Sequence, residues 1–142
     1  AALLSWSGTM FEYLMPLLLM RRYPETLLDT TYAAAVARQI AYGKERGVPW
    51  GISESAYNAR DMAMNYQYHA FGVPGLGLKS GLDDDLVIAP YATMLALSVR
   101  PVEALANLRA LVADDMFGSN CALVYGAPPG HEPACLVQRT PC

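Results

Sequence analysis

The sequence has little charge of either sign and no excess of positive charge. Only 16% of its 142 residues are charged, and 10 Lys and Arg against 13 Asp and Glu give a formal net charge of −3. A nucleic-acid-binding face needs clustered Lys and Arg to neutralise phosphates, whereas the basic residues here are scattered. The composition therefore predicts no nucleic-acid partner.

Long apolar segments are also missing. The uncharged apolar run at residues 86–99 is short of the roughly 20 residues that a membrane-spanning helix needs. The first residues carry no basic cluster of the kind that opens a signal peptide. We therefore expect no direct membrane insertion by this chain.

Cysteine and histidine are too few and too dispersed to predict a metal site or a disulfide framework. The chain has only 2 histidines, and its 3 cysteines form no Cys-x-x-Cys pair. The acidic run 83–85 lacks the alternating oxygen ligands of a calcium loop, and the glycine-rich segment 71–82 lacks phosphate-loop spacing. The sequence therefore predicts no metal and no cofactor. The cysteines are Cys121, Cys135 and Cys142.

Helical patterns account for most of the remaining sequence. Apolar side chains in i, i+4 steps predict a helix from about 25 to 42, ended by Gly43 or Gly47. Two further helices, at about 90–99 and 101–113, each begin with proline and follow one another directly, as in a tight helical hairpin. The pattern predicts an all-α fold built from antiparallel hairpins. The apolar stripe of the first helix consists of Leu28, Tyr32, Val36 and Ile40.

Three other segments have a less regular pattern. Residues 44–58 are expected to form a loop, and residues 58–69 show no clear period and are either helical or irregular. The glycines of segment 71–82 indicate a loop whose backbone approaches another group closely, without indicating which group that is. Thr9 and Glu12 have the spacing of a capping box at a helix start.

The candidate site lies in residues 50–58, which place the carboxylate of Glu54 among hydroxyl, amide and aromatic side chains. Sugar chemistry needs a tunable proton donor, hydrogen-bonding partners for hydroxyl groups and flat faces for pyranose rings. The same segment is compatible with a helix start in which Ser53 is the N-cap and Glu54 lies in the first turn. The neighbours interpreted as glycan contacts are Trp50, Ser53, Ser55, Tyr57 and Asn58.

Four blocks of sequence occur in a recognisable order and spacing. They read SWSGTMFEYLMP at 5–16, GVPWGISESAYN at 47–58, FGVPGLGLK at 71–79 and DLVIAPYAT at 85–93. Together they resemble the glucoamylase-like domain of bacterial cyclic β-1,2-glucan synthases. The resemblance covers about residues 3–111.

The resemblance implies a partial α/α toroid that belongs to a very large enzyme of the bacterial inner membrane, with this domain soluble on the cytoplasmic side. In that family the domain cyclises β-1,2-glucan by transglycosylation, and the glutamate matching Glu54 is the acid/base. The partner carboxylate lies upstream of the first block, in a segment that this chain lacks. Glu12 and Tyr13 are interpreted as substrate contacts, although capping explains Glu12 equally well.

The character of the sequence changes after about residue 113, where glycine and proline become frequent and no helical period survives. We predict a partial glucoamylase-like domain over 1–113 and a divergent tail over 114–142, either disordered or non-native, with an ordinary divergent loop as the alternative. The fragment is expected to be inactive alone, because it lacks segments of a glycosyltransferase or transglycosylase parent. A glycan-binding helical remnant and a helical interaction module without catalysis are the alternative functions.

Overall fold

A computed structural model describes residues 2–60, 62–63, 66–113 and 123–125. Within these residues, most of the regular secondary structure is helical, and four short strands form two antiparallel pairs. The helices are α1 (Met10–Leu14), α2 (Pro16–Leu19), α3 (Leu27–Arg46), α4 (Pro90–Leu95) and α5 (Pro101–Ala113), with a 3₁₀ turn at Ala96–Ser98. The strands are β1 (Ser55–Arg60), β2 (Tyr66–His69), β3 (Leu86–Ile88) and β4 (Leu123–Tyr125).

The longest helix, α3, has clear signals at both ends. Thr26 is its N-cap, with the side-chain oxygen accepting a hydrogen bond from the Asp29 amide at 3.2 Å. Gly47 ends the helix in the left-handed conformation, with φ of 68°. The predicted helix is confirmed, but it extends beyond the expected end at residue 42, and Gly47 is its terminator.

The buried face of α3 differs from the predicted stripe. Tyr32 and Val36 are buried as expected, whereas Leu28 is exposed and Ile40 is only half-buried. The side chain of Gln39 is fully buried instead. The prediction rested on apolar residues in i, i+4 steps, so it missed Gln39, a polar residue on the buried side of this helix.

The all-α prediction is correct for the helices but missed two pairs of short strands. Segment 55–60, expected to be loop up to residue 58 and helical or irregular beyond it, pairs with segment 66–69 as an antiparallel hairpin. Tyr66 and Tyr68 alternate with polar residues, which is the two-residue period of a strand. A second pair joins β3 to β4, with Val87 opposite Val124. The tail predicted for 114–142, including its cysteines, otherwise lies outside the described residues.

The glycine-rich loop 71–82 packs tightly against the N-terminal segment, as predicted. The Ser5 amide donates to the Leu76 carbonyl at 3.3 Å, and the Val73 amide donates to the Gly8 carbonyl at 3.2 Å. A Cβ at position 72 would lie 1.6 Å from the Ser7 carbonyl oxygen. Only glycine fits at this contact.

Among the described residues, an apolar cluster connects α1, α3, α4 and α5 to β3. It includes Leu14 of α1, Val36 of α3, Ile88 of β3 and Leu111 of α5, each of which is fully buried. In the part of the chain that the structure describes, no helix has both the length and the apolar character needed to cross a membrane. The predicted 90–99 helix ends as α4 at Leu95 and continues as the 3₁₀ turn.

Candidate functional site

Gln39 of α3 holds the segment that leads to Glu54. Its side-chain Nε2 donates to the Ile52 carbonyl at 2.8 Å, and its Oε1 accepts from the Ile52 amide at 2.9 Å. The side chain therefore pairs with Ile52 through both its donor and its acceptor, as a neighbouring strand would. Since Gln39 is fully buried, this pairing fixes the backbone two residues before the carboxylate.

Asn107 of α5 makes the same kind of pairing with Trp50. Its Oδ1 accepts from the Trp50 amide at 3.1 Å, and its Nδ2 donates to the Trp50 carbonyl at 2.7 Å. The Thr93 hydroxyl also donates to the Trp50 carbonyl, at 3.2 Å. Two buried amide side chains from different helices thus hold alternate residues of one extended segment.

Backbone contacts hold the residues between these two anchors. The Ala89 amide donates to the Gly51 carbonyl at 2.9 Å, and the Met10 amide donates to the Ile52 carbonyl at 3.1 Å. Gly51 has a φ of 122°, and a Cβ there would lie 2.8 Å from the Thr93 hydroxyl oxygen. A side chain at position 51 would therefore be both strained and obstructed.

Ser53 and Tyr91 connect α1 and α4 to the backbone of Glu54. The Phe11 amide donates to Ser53 Oγ at 3.0 Å, and the Tyr91 hydroxyl lies 2.9 Å from Ser53 Oγ and 2.7 Å from the Glu54 carbonyl oxygen. A phenol has one proton, so donation to the Glu54 carbonyl leaves the Ser53 hydroxyl to donate to the Tyr91 oxygen. Every donor in this chain of hydrogen bonds then has an acceptor.

Glu54 is half-buried and presents its carboxylate next to Tyr68 of β2. Its Oε2 accepts a hydrogen bond from the Tyr68 hydroxyl at 2.9 Å. Burial of the hydroxyl, the hydrogen bond to Glu54 and the negative charge of Glu54 raise the pKa of Tyr68 to about 12. Burial and the charge of Glu54 also raise the pKa of Tyr91, against an opposing hydrogen bond from Ser53. Both phenols therefore remain protonated donors near neutral pH.

The structure buries two of the predicted contact residues and leaves Ser55 half-buried. Ser53 is fully buried and Trp50 is only 7% exposed, so both support the segment from within the core. Ser55 is half-buried and pairs with His69 across the hairpin. Tyr57 and Asn58 lie on β1, and their side chains are outside the described part of the structure.

Glu12 binds backbone amides of the N-terminal segment, and Tyr13 binds a backbone carbonyl of the glycine-rich loop. The Glu12 carboxylate accepts from the Ser7 amide at 3.1 Å and from the Thr9 amide at 3.3 Å, which completes the capping box of α1. Tyr13 is 6% exposed, and its hydroxyl donates to the Leu76 carbonyl at 2.5 Å. Their predicted role as sugar contacts remains a prediction.

An open groove of about 550 Å³ lies between α3 and α5. Lys44, Trp50 and Glu103 are among its lining residues, whereas Ser53 and Glu54 are not. In the described ranges, no group of three or more His, Cys, Asp or Glu side chains is arranged to hold a metal ion. Glu54 and the two phenols bound to its segment can perform proton transfer and hydrogen bonding.

Sequence reasoning missed the two amide side chains that support the site. Gln39 and Asn107 each fall among apolar residues of an amphipathic helix, and a polar residue in such a position signals a buried hydrogen-bonding partner. Nothing in the sequence around Tyr68 or Tyr91 distinguishes a tyrosine that binds Glu54 from a core tyrosine.

The chain matches the family model described as Glycoamylase, a putative glucoamylase, over residues 1–125, and it therefore belongs to that family. Over 110 residues it is 56% identical to the cyclic beta-(1,2)-glucan synthase NdvB of Rhizobium meliloti (strain 1021). These residues are 78% of this chain and 4% of that protein, so the chain spans a small part of the curated relative. The resemblance found in the four sequence blocks is confirmed.

Proposed function

We propose that the chain is part of a carbohydrate-active domain that acts on β-1,2-glucan by transglycosylation and so cyclises the polymer. Glu54 serves as its acid/base residue. The substrate follows from the 56% identity to a protein named as a cyclic beta-(1,2)-glucan synthase. Membership of the putative glucoamylase family, over residues 1–125, supports the carbohydrate-active class.

The placement of Glu54 is the observation that carries this proposal. The backbone from Trp50 to Glu54 is held by α1, α3, α4 and α5, while the carboxylate itself is only half-buried. An acid/base residue needs a fixed position and access to the substrate oxygen. A glutamate whose only task was to begin a helix would need neither, and Glu54 here precedes a strand.

Glu54 would protonate the departing glycosidic oxygen. A second carboxylate would attack the anomeric carbon, and a hydroxyl of the same glucan, in place of water, would resolve the glycosyl intermediate. In retaining chemistry the two carboxyl groups stand about 5–5.5 Å apart. We assign the second carboxylate to a segment of a longer parent chain, and the isolated fragment is therefore inactive.

The helices support a partial α/α toroid as the architecture of the parent domain. Leu18 and Leu19 of α2 are 61% and 83% exposed, and Val102 of α5 is 77% exposed. Apolar side chains exposed on several helices are typical of surfaces that face further protein. We place the parent enzyme at the bacterial inner membrane, with this domain on the cytoplasmic side.

Incubation of the 142-residue chain with linear β-1,2-glucan tests the proposal and its two alternatives. We expect mass spectrometry to detect no cyclic product, and isothermal titration calorimetry to detect glucan binding that linear β-1,4-glucan does not reproduce. Cyclisation by the chain would refute the missing-carboxylate argument. Absence of any glucan binding would favour a helical interaction module over a carbohydrate-active fragment.

A further inference from the structure

We propose that Tyr68 is a second functional residue of this site, which holds the Glu54 carboxylate through its hydroxyl and offers its open ring face to the adjacent glucosyl unit. The inference rests on the proposed function of Glu54. It adds both a positioning residue for the acid and a binding surface beside it.

The hydroxyl contact supports the positioning role. The Tyr68 hydroxyl and Glu54 Oε2 are 2.9 Å apart. Tyr68 lies on β2 opposite Ala56 of β1, and Glu54 directly precedes β1. With a pKa of about 12 the phenol is a proton donor at any pH at which glycosidases work. The hydrogen bond therefore fixes the Glu54 oxygen to which it is made.

The exposure of Tyr68 supports the binding role. The residue is 63% exposed although its hydroxyl is already engaged by Glu54. The ring is thus anchored at both ends, by the strand and by the carboxylate, before any ligand arrives, so little conformational entropy is lost on contact with a sugar. Trp50, one of the two aromatic residues expected to stack on the glycan, is only 7% exposed; the side chain of the other, Tyr57, lies outside the described part of the structure.

Two substitutions at position 68 distinguish the contribution of the ring from the contribution of the hydroxyl. Tyr68→Phe keeps the ring and removes the hydroxyl, whereas Tyr68→Leu removes both. Tyr23→Phe is the matched control, because Tyr23 is 47% exposed and lies in the connection between α2 and α3. Calorimetric titration of each 142-residue variant with linear β-1,2-glucan measures the effect of the ring on binding.

We expect Tyr68→Phe and Tyr23→Phe to bind glucan within about twofold of the unmodified chain, and Tyr68→Leu to bind about tenfold more weakly. Equal affinity of Tyr68→Leu and the unmodified chain would overturn the binding role. If the unmodified chain binds no glucan, both the glucan assignment and the binding role of Tyr68 are wrong.

The positioning role has an independent readout in the absorbance of tyrosinate at 295 nm during alkaline titration. In the unmodified chain the Tyr68 phenol is expected to titrate at about pH 12, a step that Tyr68→Phe removes and Glu54→Gln moves to lower pH. A titration unchanged by Glu54→Gln would overturn the hydroxyl contact whether or not glucan binds. In the parent enzyme, Tyr68→Phe should also lower kcat with little change in KM, because the ring still binds the sugar while the acid loses its fixed position, which loss of packing alone would not do. If Glu54→Gln abolishes turnover while Tyr68→Phe leaves kcat unchanged, the positioning role fails and the role of Glu54 stands.

Discussion

Replacement of Gln39 by leucine tests how strongly the core supports the site. Gln39 is fully buried and makes two hydrogen bonds to Ile52, one as donor and one as acceptor. Leucine has a similar volume but no polar atoms, so the substitution removes both bonds without leaving a large cavity. The backbone two residues before Glu54 then loses its link to α3.

The cost follows from which groups lose their partner. The Ile52 carbonyl keeps the hydrogen bond from the Met10 amide at 3.1 Å, whereas the Ile52 amide is left with no acceptor in place of Gln39. A buried amide without a partner costs about 1–3 kcal/mol. We expect Gln39→Leu to lower the free energy of unfolding by about 2 kcal/mol, which is a large part of the roughly 5–15 kcal/mol of a small domain.

Urea unfolding followed by circular dichroism at 222 nm measures this loss. With a urea m-value of about 2 kcal/mol per molar, the midpoint should fall by about 1 M. Ala37→Leu is the matched control, because it introduces the same side chain at an exposed position of the same helix and should change stability by no more than about 0.5 kcal/mol. Equal midpoints for Gln39→Leu and the unmodified chain would refute the structural role assigned to this amide.

Two further predictions concern the glycine-rich loop and the tail. Gly72→Ala should lower the free energy of unfolding by about 3 kcal/mol or more in the same assay, because its Cβ would lie 1.6 Å from a backbone oxygen that cannot move aside. Gly75→Ala is the control: among the described residues its Cβ would meet only Arg38, at 3.8 Å, and it should cost about 1 kcal/mol through its positive φ. If the predicted boundary at 113 is right, chains truncated after 113 and after 125 should both melt within about 2 °C of the full chain, since a foreign tail buries little apolar area. A clearly lower melting temperature for the chain truncated after 113, which lacks β4, would instead place the domain end beyond 113.

The helices could be predicted from the sequence because their signals are local. Thr26, Gly47 and Pro101 mark helix ends by properties of their own backbone and side chain, and the structure has helix ends at these positions. The close approach of the glycine-rich loop was also predictable, because glycine at 72 and 77 has few other uses.

The hairpin and the amide supports could not be predicted in the same way. β1 and β2 are short and tyrosine-rich, and their pairing depends on contacts between segments that the sequence pattern does not relate. The supporting role of Gln39 and Asn107 depends on the packing of α3 and α5 against the same extended segment, which includes Trp50 and Ile52. The identity of Glu54 as the candidate carboxylate was predictable, whereas its partner Tyr68 depends on the register of the hairpin.

Turnover of linear β-1,2-glucan by the parent enzyme with and without Glu54→Gln tests the central claim most directly. Glutamine keeps the shape of the side chain and can still accept the hydrogen bond from Tyr68, but it has no proton to donate at the glycosidic oxygen. We expect kcat to fall by about two to four orders of magnitude while glucan binding is retained. Unchanged kcat in Glu54→Gln would contradict the assignment of Glu54 as the acid/base residue.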